Sequence, residues 1–126
     1  MPGYLLDTNS VIYFFNGEEK ISKLIESAKD EIFISFITQI ELLCFDTDDR
    51  LAQKRIKEFI EDIKVILIDD KIISNTIEYR KNLKIKVPDA IICATAKTLR
   101  LTLVTADKSI TKRSTGLKIV SPVWKK

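Results

Sequence analysis

The stretch GYLLDTNSVIYFF, residues 3–15, decides how the rest of the chain is interpreted. Its first part, Gly3–Leu6, has the length and composition of a buried strand, whereas Thr8–Phe15 is typical of a helix. Asp7 stands between them and has two explanations. Its side chain either caps the free amides at the start of the helix, or projects into the crevice where open α/β sheets bind ligands. Both explanations predict a strand followed directly by a helix.

The rest of the chain repeats this alternation of strands and helices. Further strands are predicted at Glu31–Ser35, Val65–Ile68, Leu101–Thr105 and near Leu117–Val120. Apolar residues at helical spacing fill the segments between them, most continuously in Ala90–Leu99. Continuous apolar strands are typical of a parallel sheet with both faces buried. We therefore predict an α/β fold with a mostly parallel central sheet, helices on both faces, and the loops after Leu6, Ser35 and Thr105 at one edge.

Length and composition set the broad class of the protein. The chain has 126 residues, of which 45% are hydrophobic, so we expect one globular domain over residues 1–126. A net charge of +3 is compatible with nucleic-acid binding but does not require it. No secretory leader pattern and no apolar run long enough to cross a bilayer are present, so we expect a cytoplasmic protein without a membrane partner.

The residue types that are absent exclude several kinds of chemistry. The chain has no histidine and only three glycines, which excludes histidine catalysis, a P-loop and a dinucleotide fingerprint. Cys44 and Cys93 lack the spacing of a zinc site, and each lies in an apolar helical stretch where we expect a buried free thiol. Carboxylates, hydroxyls, lysines and a bound metal remain for catalysis.

Four acidic residues have routes to the same edge of the sheet. Asp7 and Asp107 follow strands in the contexts LLDTNS and VTADKS, Glu41 lies in the predicted helix Ile37–Phe45, and Asp89 enters the most apolar helix. Singly, the three aspartates are explained by capping or by the helix dipole, and Glu41 by exposure to solvent. Together in one crevice they would repel one another, and a divalent cation would relieve that repulsion. A site without His or Cys ligands favours Mg²⁺ or Mn²⁺.

The motifs LLDTN, an internal IEL, PDAIICATA and LVTADK, in that order, resemble those of the PIN-domain nucleases. The resemblance spans nearly the whole chain and is strongest to the short VapC-type toxins of toxin–antitoxin pairs. It implies a single three-layer PIN-like domain that uses Mg²⁺ or Mn²⁺ to hydrolyse single-stranded or loop RNA. The implied acidic quartet is Asp7, Glu41, Asp89 and Asp107, which would be both the catalytic residues and the metal ligands.

The same resemblance implies supporting residues and partners. Thr8, Asn9 and Thr105 match the polar residues that support the acids. Candidates for contacts with RNA phosphates are Lys84, Lys86, Lys108, Lys112 and Arg113, which flank two of the four acids. VapC-type toxins pair with a cognate antitoxin and form dimers, so we expect both here. The apolar run 12–15 and the helix 52–63 are candidates for the antitoxin groove.

Three alternative functions remain open from the sequence. A receiver domain would use Asp69 or Asp70 as the phosphoacceptor, with Thr105 and Lys118 downstream, but it would need an acidic pair after the first strand. A haloacid-dehalogenase-like phosphatase would need a second aspartate where Asn9 stands. A PIN fold without activity, which only binds RNA or a protein, is the third alternative.

Overall fold

The computed structural model describes residues 3–124 and is built on a five-stranded parallel sheet. The strands are β1 (Tyr4–Leu6), β2 (Ile32–Ser35), β3 (Lys64–Ile66), β4 (Thr102–Val104) and β5 (Ile119–Val120). Their order in the sheet is β3-β2-β1-β4-β5, and every neighbouring pair is parallel. The predicted parallel sheet is confirmed.

Seven α-helices connect the strands within the described residues. They are α1 (Thr8–Phe15), α2 (Glu19–Ser27), α3 (Phe36–Leu43), α4 (Arg50–Asp62), α5 (Asp70–Leu83), α6 (Val87–Leu99) and α7 (Lys108–Thr111). A 3-10 turn at Lys29–Glu31 precedes β2. Pro88 lies in the first turn of α6, as predicted, because a missing amide proton costs nothing there. None of the helices in residues 3–124 is long and apolar enough to span a membrane.

Two separate cores pack on the two faces of the sheet. Leu5 belongs to one core, with residues of α5 and α6, and the adjacent Leu6 belongs to the other, with residues of α1, α2 and α4. Successive side chains of a strand point to opposite faces, so short apolar strands serve both cores. This arrangement is the predicted three-layer α/β fold.

The structure corrects the predicted end of the third strand. β3 ends at Ile66, and Leu67 and Ile68 are 71% and 44% exposed. Because β3 lies at the edge of the sheet, no further strand covers the residues that follow it. Asp69 then caps α5 by accepting a hydrogen bond from the Ile72 amide. Apolar composition was therefore a wrong guide to burial at these two positions.

The two cysteines differ in burial. Cys93 is fully buried in α6, as predicted, whereas Cys44 is exposed at the C-terminal end of α3. The prediction of a buried Cys44 is wrong, because the apolar residues around it, Leu43 and Phe45, are themselves about half exposed.

The connections place a crevice between the carboxyl ends of β1 and β4. The chain leaves β1 for β2 and β3 on one side, then returns to pair β4 with the other side of β1. Open α/β sheets bind ligands at such a reversal of strand order. Asp7 follows β1 and Thr105 follows β4, so both lie at this point. We refer to it below as the acid crevice.

Candidate active site

Asp7 is fixed in the acid crevice by hydrogen bonds to both of its carboxylate oxygens. Oδ1 accepts the Ser10 amide at 2.8 Å, which makes Asp7 the N-cap of α1, and Oδ2 accepts the Thr105 hydroxyl. The side chain is only 8% exposed. Burial raises its pKa above the usual aspartate value, while the bonds from Ser10 and Thr105 act in the opposite direction. Asp7 is therefore both a helix cap and a buried carboxylate at the end of the strand.

Thr105 connects Asp7 to Asp107. Its buried hydroxyl donates to Asp7 and accepts the Asp107 amide at 3.0 Å. Asp107 caps α7 by accepting the Ser109 amide at 2.9 Å, and its Oδ1 also accepts the Ser109 hydroxyl at 2.7 Å. The same hydroxyl lies 3.4 Å from Oδ2 of Asp89. Two hydroxyl groups thus link three of the four predicted acids.

Asp89 lies in the first turn of α6 and experiences the charge of all three other acids. Burial is the largest cause of its raised pKa, followed by the negative charges of Asp107, Asp7 and Glu41; the Ser109 hydrogen bond opposes them. The direction of this shift agrees with the contacts that connect Asp89, Asp107 and Asp7 through Ser109 and Thr105.

Glu41 approaches the crevice from the exposed side of α3. Its Oε1 accepts the Thr8 hydroxyl at 2.6 Å, and the Thr8 oxygen lies 3.2 Å from that of the buried Thr38. The side chain is exposed, as the solvent-facing explanation predicted, yet it is bonded to the first turn of α1. Thr8, a predicted supporting residue, makes this connection.

Comparison with known proteins identifies the fold family. A family model of the PIN domain matches residues 4–115. The chain belongs to the PIN-domain family. The receiver and phosphatase alternatives are thereby set aside. A search of curated protein sequences finds no match.

Solved structures of similar shape cover almost the entire PIN domain. A chain of a toxin–antitoxin complex from Klebsiella pneumoniae is 28% identical, with a TM-score of 0.79, over 95% of this chain and 98% of that one. A chain of DNA-bound VapBC from Salmonella typhimurium is 25% identical, with a TM-score of 0.80, over 97% and 99%. VapBC2 from Rickettsia felis, bound to a promoter DNA fragment, has a TM-score of 0.82 at 24% identity, over 97% and 98%. That last likeness is one of fold alone.

The donor atoms of this PIN domain suit a hard divalent cation. Within residues 3–124, the side chains as they stand form no group of three or more acids that could hold a metal ion together. The donor set nevertheless consists of carboxylate and hydroxyl oxygens, which Mg²⁺ and Mn²⁺ prefer. No lysine or arginine in the same range forms an ion pair with Asp7, Glu41, Asp89 or Asp107. A cation would therefore supply the charge compensation that the protein itself does not.

The predicted phosphate-binding residues of the PIN domain have different environments. The four lysines lie at helix ends and are exposed: Lys84, Lys86, Lys108 and Lys112. Arg113 instead donates to the Leu83 carbonyl at 2.9 Å, which ties the end of α5 to the segment after α7. Asn9 is exposed in the first turn of α1, and its side chain forms no hydrogen bond with the rest of residues 3–124.

Sequence analysis missed three hydroxyl residues that organise the site. Ser109 bridges Asp107 and Asp89, Thr38 lies behind Thr8, and the buried Ser10 donates to the Val104 carbonyl at 2.7 Å. Ser109 and Ser10 each stand two or three residues after a strand-end aspartate. This spacing is typical of an Asx-type cap and could have indicated both of them.

Proposed function

We propose that this PIN domain is a metal-dependent endoribonuclease and the toxin of a toxin–antitoxin pair. The observation that carries the proposal is the set of hydroxyl contacts at the carboxyl edge of the sheet: Thr105 connects Asp7 with Asp107, the Ser109 hydroxyl donates to Asp107 and lies 3.4 Å from Asp89, and Thr8, beside Asp7, donates to Glu41. Membership of the PIN family and the likeness to a Klebsiella pneumoniae toxin–antitoxin complex support it. The proposed site of action is the cytoplasm.

The four acids are the proposed ligands of Mg²⁺ or Mn²⁺, either directly or through water. Such an ion, when bound, polarises a phosphodiester oxygen and makes hydroxide available near neutral pH. The Thr105 hydroxyl donates to Asp7 and the Ser109 hydroxyl donates to Asp107, so these two carboxylates keep their orientation, and Ser109 also lies 3.4 Å from Asp89. Thr8 holds Glu41 in the same way. The exposed lysines at the nearby helix ends are the proposed phosphate contacts.

An antitoxin segment is proposed to bind the apolar surface between α1 and α4. Two adjoining grooves of about 350 and 170 Å³ lie there, and Phe15 and Arg55 line both. Phe14, Phe15 and Phe59 form an aromatic cluster with ring centroids 5.4–5.8 Å apart. Arg55, Glu58 and Asp62 stand among these apolar residues. An amphipathic helix with apolar anchors and charged flanks matches this surface.

A homodimer is proposed to cover the exposed apolar residues beside β3. Leu67, Ile68, Ile73 and Ile77 are each 43–71% exposed, and they follow the edge strand or lie on α5. Contiguous exposed apolar surface in a folded domain usually marks an interface. A second copy meeting this face with the same face would form a closed twofold dimer.

The test is cleavage of a mixed pool of structured RNAs by purified protein. The assay compares Mg²⁺ or Mn²⁺ with EDTA, and wild type with Asp7→Asn and Asp89→Asn. Asp69→Asn is the matched control, because Asp69 also follows the strand region and caps a helix, and within residues 3–124 it forms no hydrogen bond with Asp7, Glu41, Asp89 or Asp107. We expect metal-dependent cutting that the first two variants lose and the control keeps. No cutting under either metal would favour a PIN domain that only binds RNA or protein.

A further inference from the structure

A polar groove of about 480 Å³ lies between the start of α5 and the end of α6, apart from the acid crevice. Three cations line it: Lys71 from α5, Lys97 from the last turn of α6, and Arg100, which ends that helix. The uncharged lining residues are Ser74, Asn75 and Thr98. All of these uncharged side chains carry hydrogen-bonding groups, so the groove offers both charge and polar contacts.

No salt bridge neutralises the cations of this groove in the described part of the chain. Within residues 3–124, Lys71, Lys97 and Arg100 form no ion pair, and their side chains donate no hydrogen bond. Arg55 and Arg80, in contrast, donate to the backbone carbonyls of Phe15 and Ile85. All three groove cations are exposed. They remain available to an anion from solution.

The floor of the groove is fixed by one hydrogen bond between α5 and α6 and one within α6. The Asn75 amide donates to Thr98 Oγ1 at 2.9 Å, and the Thr98 hydroxyl donates to the Ala94 carbonyl at 2.7 Å. Lys97 Nζ lies 5.7 Å from the centre of the Tyr79 ring, which holds it toward α5. The cations thus project from a rigid base.

One carboxylate, that of Asp70, also lines the groove. Asp70 lies in the first turn of α5, where the helix dipole favours an acid. Three cations against one carboxylate still leave the groove positive. The acid crevice has the opposite charge, so it repels a phosphodiester when no metal is bound.

The two sites are joined by α6 and lie within the span of one RNA strand. Asp89 in its first turn and Arg100 at its end are eleven residues apart, which is about 16 Å along a helix. We infer that this groove binds backbone phosphates of the RNA strand whose cleaved bond lies in the acid crevice. The inference rests on the proposed function, and it adds a metal-independent source of RNA affinity.

The test measures RNA binding without cleavage. The protein is the Asp7→Asn variant in EDTA, the probe is a labelled single-stranded RNA of about 20 nucleotides, and the readout is fluorescence anisotropy over a range of salt concentrations. Adding Lys71→Gln, Lys97→Gln and Arg100→Gln removes three proposed phosphate contacts. At about 0.7 counterions released per contact, the slope of log affinity against log salt should become about 2 units less steep. Between about 50 and 200 mM salt, the groove variant should then lose about 20-fold less affinity than the parent.

The charge-matched control neutralises three cations on the opposite face of the sheet. Arg50→Gln, Lys54→Gln and Lys57→Gln lie on α4, which packs into the other core. We expect this control to keep nearly the full salt slope. Equal changes in the two triple variants would mean that net charge alone attracts RNA, and would overturn the inference.

The outcome is separable from that of the cleavage assay. Suppose that wild type cuts no RNA, but that the affinity of the groove variant depends less steeply on salt than that of the parent. The groove then binds RNA, and the proposed nuclease function is wrong. If wild type cuts RNA while the groove variant binds like the control, the nuclease stands and the groove inference is refuted. Thermal unfolding of each triple variant confirms that it is folded, and Lys71→Gln alone should give about a third of the slope change.

Discussion

Replacing Thr105 by valine tests whether its hydroxyl holds the site together. The substitution preserves shape but removes a group that donates to Asp7 and accepts from the Asp107 amide, at a position only 1% exposed. Both partners then lose a hydrogen bond at a position that water scarcely reaches. The local fold stays, so the cost should appear as a lower free energy of unfolding.

The size of this cost follows from the two bonds. A hydrogen bond to a charged carboxylate contributes about 1.5–3 kcal/mol, and one to a neutral amide about 0.5–1.5 kcal/mol. The added buried methyl group returns about 0.8 kcal/mol. We expect Thr105→Val to lower the free energy of unfolding by about 1–4 kcal/mol at neutral pH in EDTA. In an Asp7→Asn background the cost should fall by roughly half, because the charged acceptor is gone.

Thr95→Val is the matched control in urea unfolding. Thr95 is as buried as Thr105, but its hydroxyl donates to the Ile91 carbonyl of its own helix, which also accepts the backbone amide. That substitution should change the free energy of unfolding by no more than about 0.5 kcal/mol. Equal costs for the two threonines, or an unchanged cost in the Asp7→Asn background, would refute the role assigned to Thr105.

Three further predictions concern charge, thiol reactivity and packing. Because burial raises the folded-state pKa of Asp7, the stability it contributes is present at acid pH and is lost as the pH rises through that pKa. The free energy of unfolding of Asp7→Asn in EDTA, measured relative to wild type, should therefore become more favourable as the pH rises from acid to neutral, and a pH-independent difference would contradict this. Cys44 should react with a thiol reagent in the native protein, because it is exposed. Cys93 should react only after unfolding, because it is buried and burial raises its pKa to about 12; two reactive thiols in the native protein would contradict this prediction. Gly3→Ala should lower the free energy of unfolding in urea by about 1–3 kcal/mol, because the added Cβ would lie 2.6 Å from the Phe33 ring and 2.7 Å from the Glu31 carbonyl oxygen. If shortening the Phe33 side chain restored the full stability, the clash with the backbone would not matter.

The order of strands and helices could be predicted best where a polar residue follows an apolar strand directly. Asp7 and Asp107 stop apolar runs and begin helices, so pattern and capping chemistry agree at those positions. Leu67 and Ile68 were misjudged because their apolarity is visible in the sequence, whereas their exposure depends on β3 lying at the edge of the sheet. Cys44 was misjudged for another reason, because its apolar neighbours Leu43 and Phe45 are themselves about half exposed.

The candidate site could be predicted in its acids but not in its hydroxyl groups. A carboxylate in an apolar segment, such as Asp89 in α6, is unusual, because charged side chains are rarely buried without a partner. Such a residue can therefore be predicted as functional from the sequence. Ser109 and Thr38 are ordinary residues in their own segments. Their roles arise only when α7 approaches α6 and when α1 approaches α3, through contacts between residues 20 and 30 positions apart.

The two explanations of Asp7 describe the same side chain and are compatible. Capping uses one lone pair of Oδ1 and the Thr105 bond uses one of Oδ2, whereas an ionised carboxylate offers about four acceptor sites. The cap fixes where the carboxylate points and leaves acceptor sites free for a cation or a water molecule. Asp107 caps α7 and accepts a hydroxyl in the same way. Helix capping is therefore the means by which this chain holds Asp7 and Asp107 at the carboxyl edge of its sheet, and it explains neither the position of Asp89 nor that of Glu41.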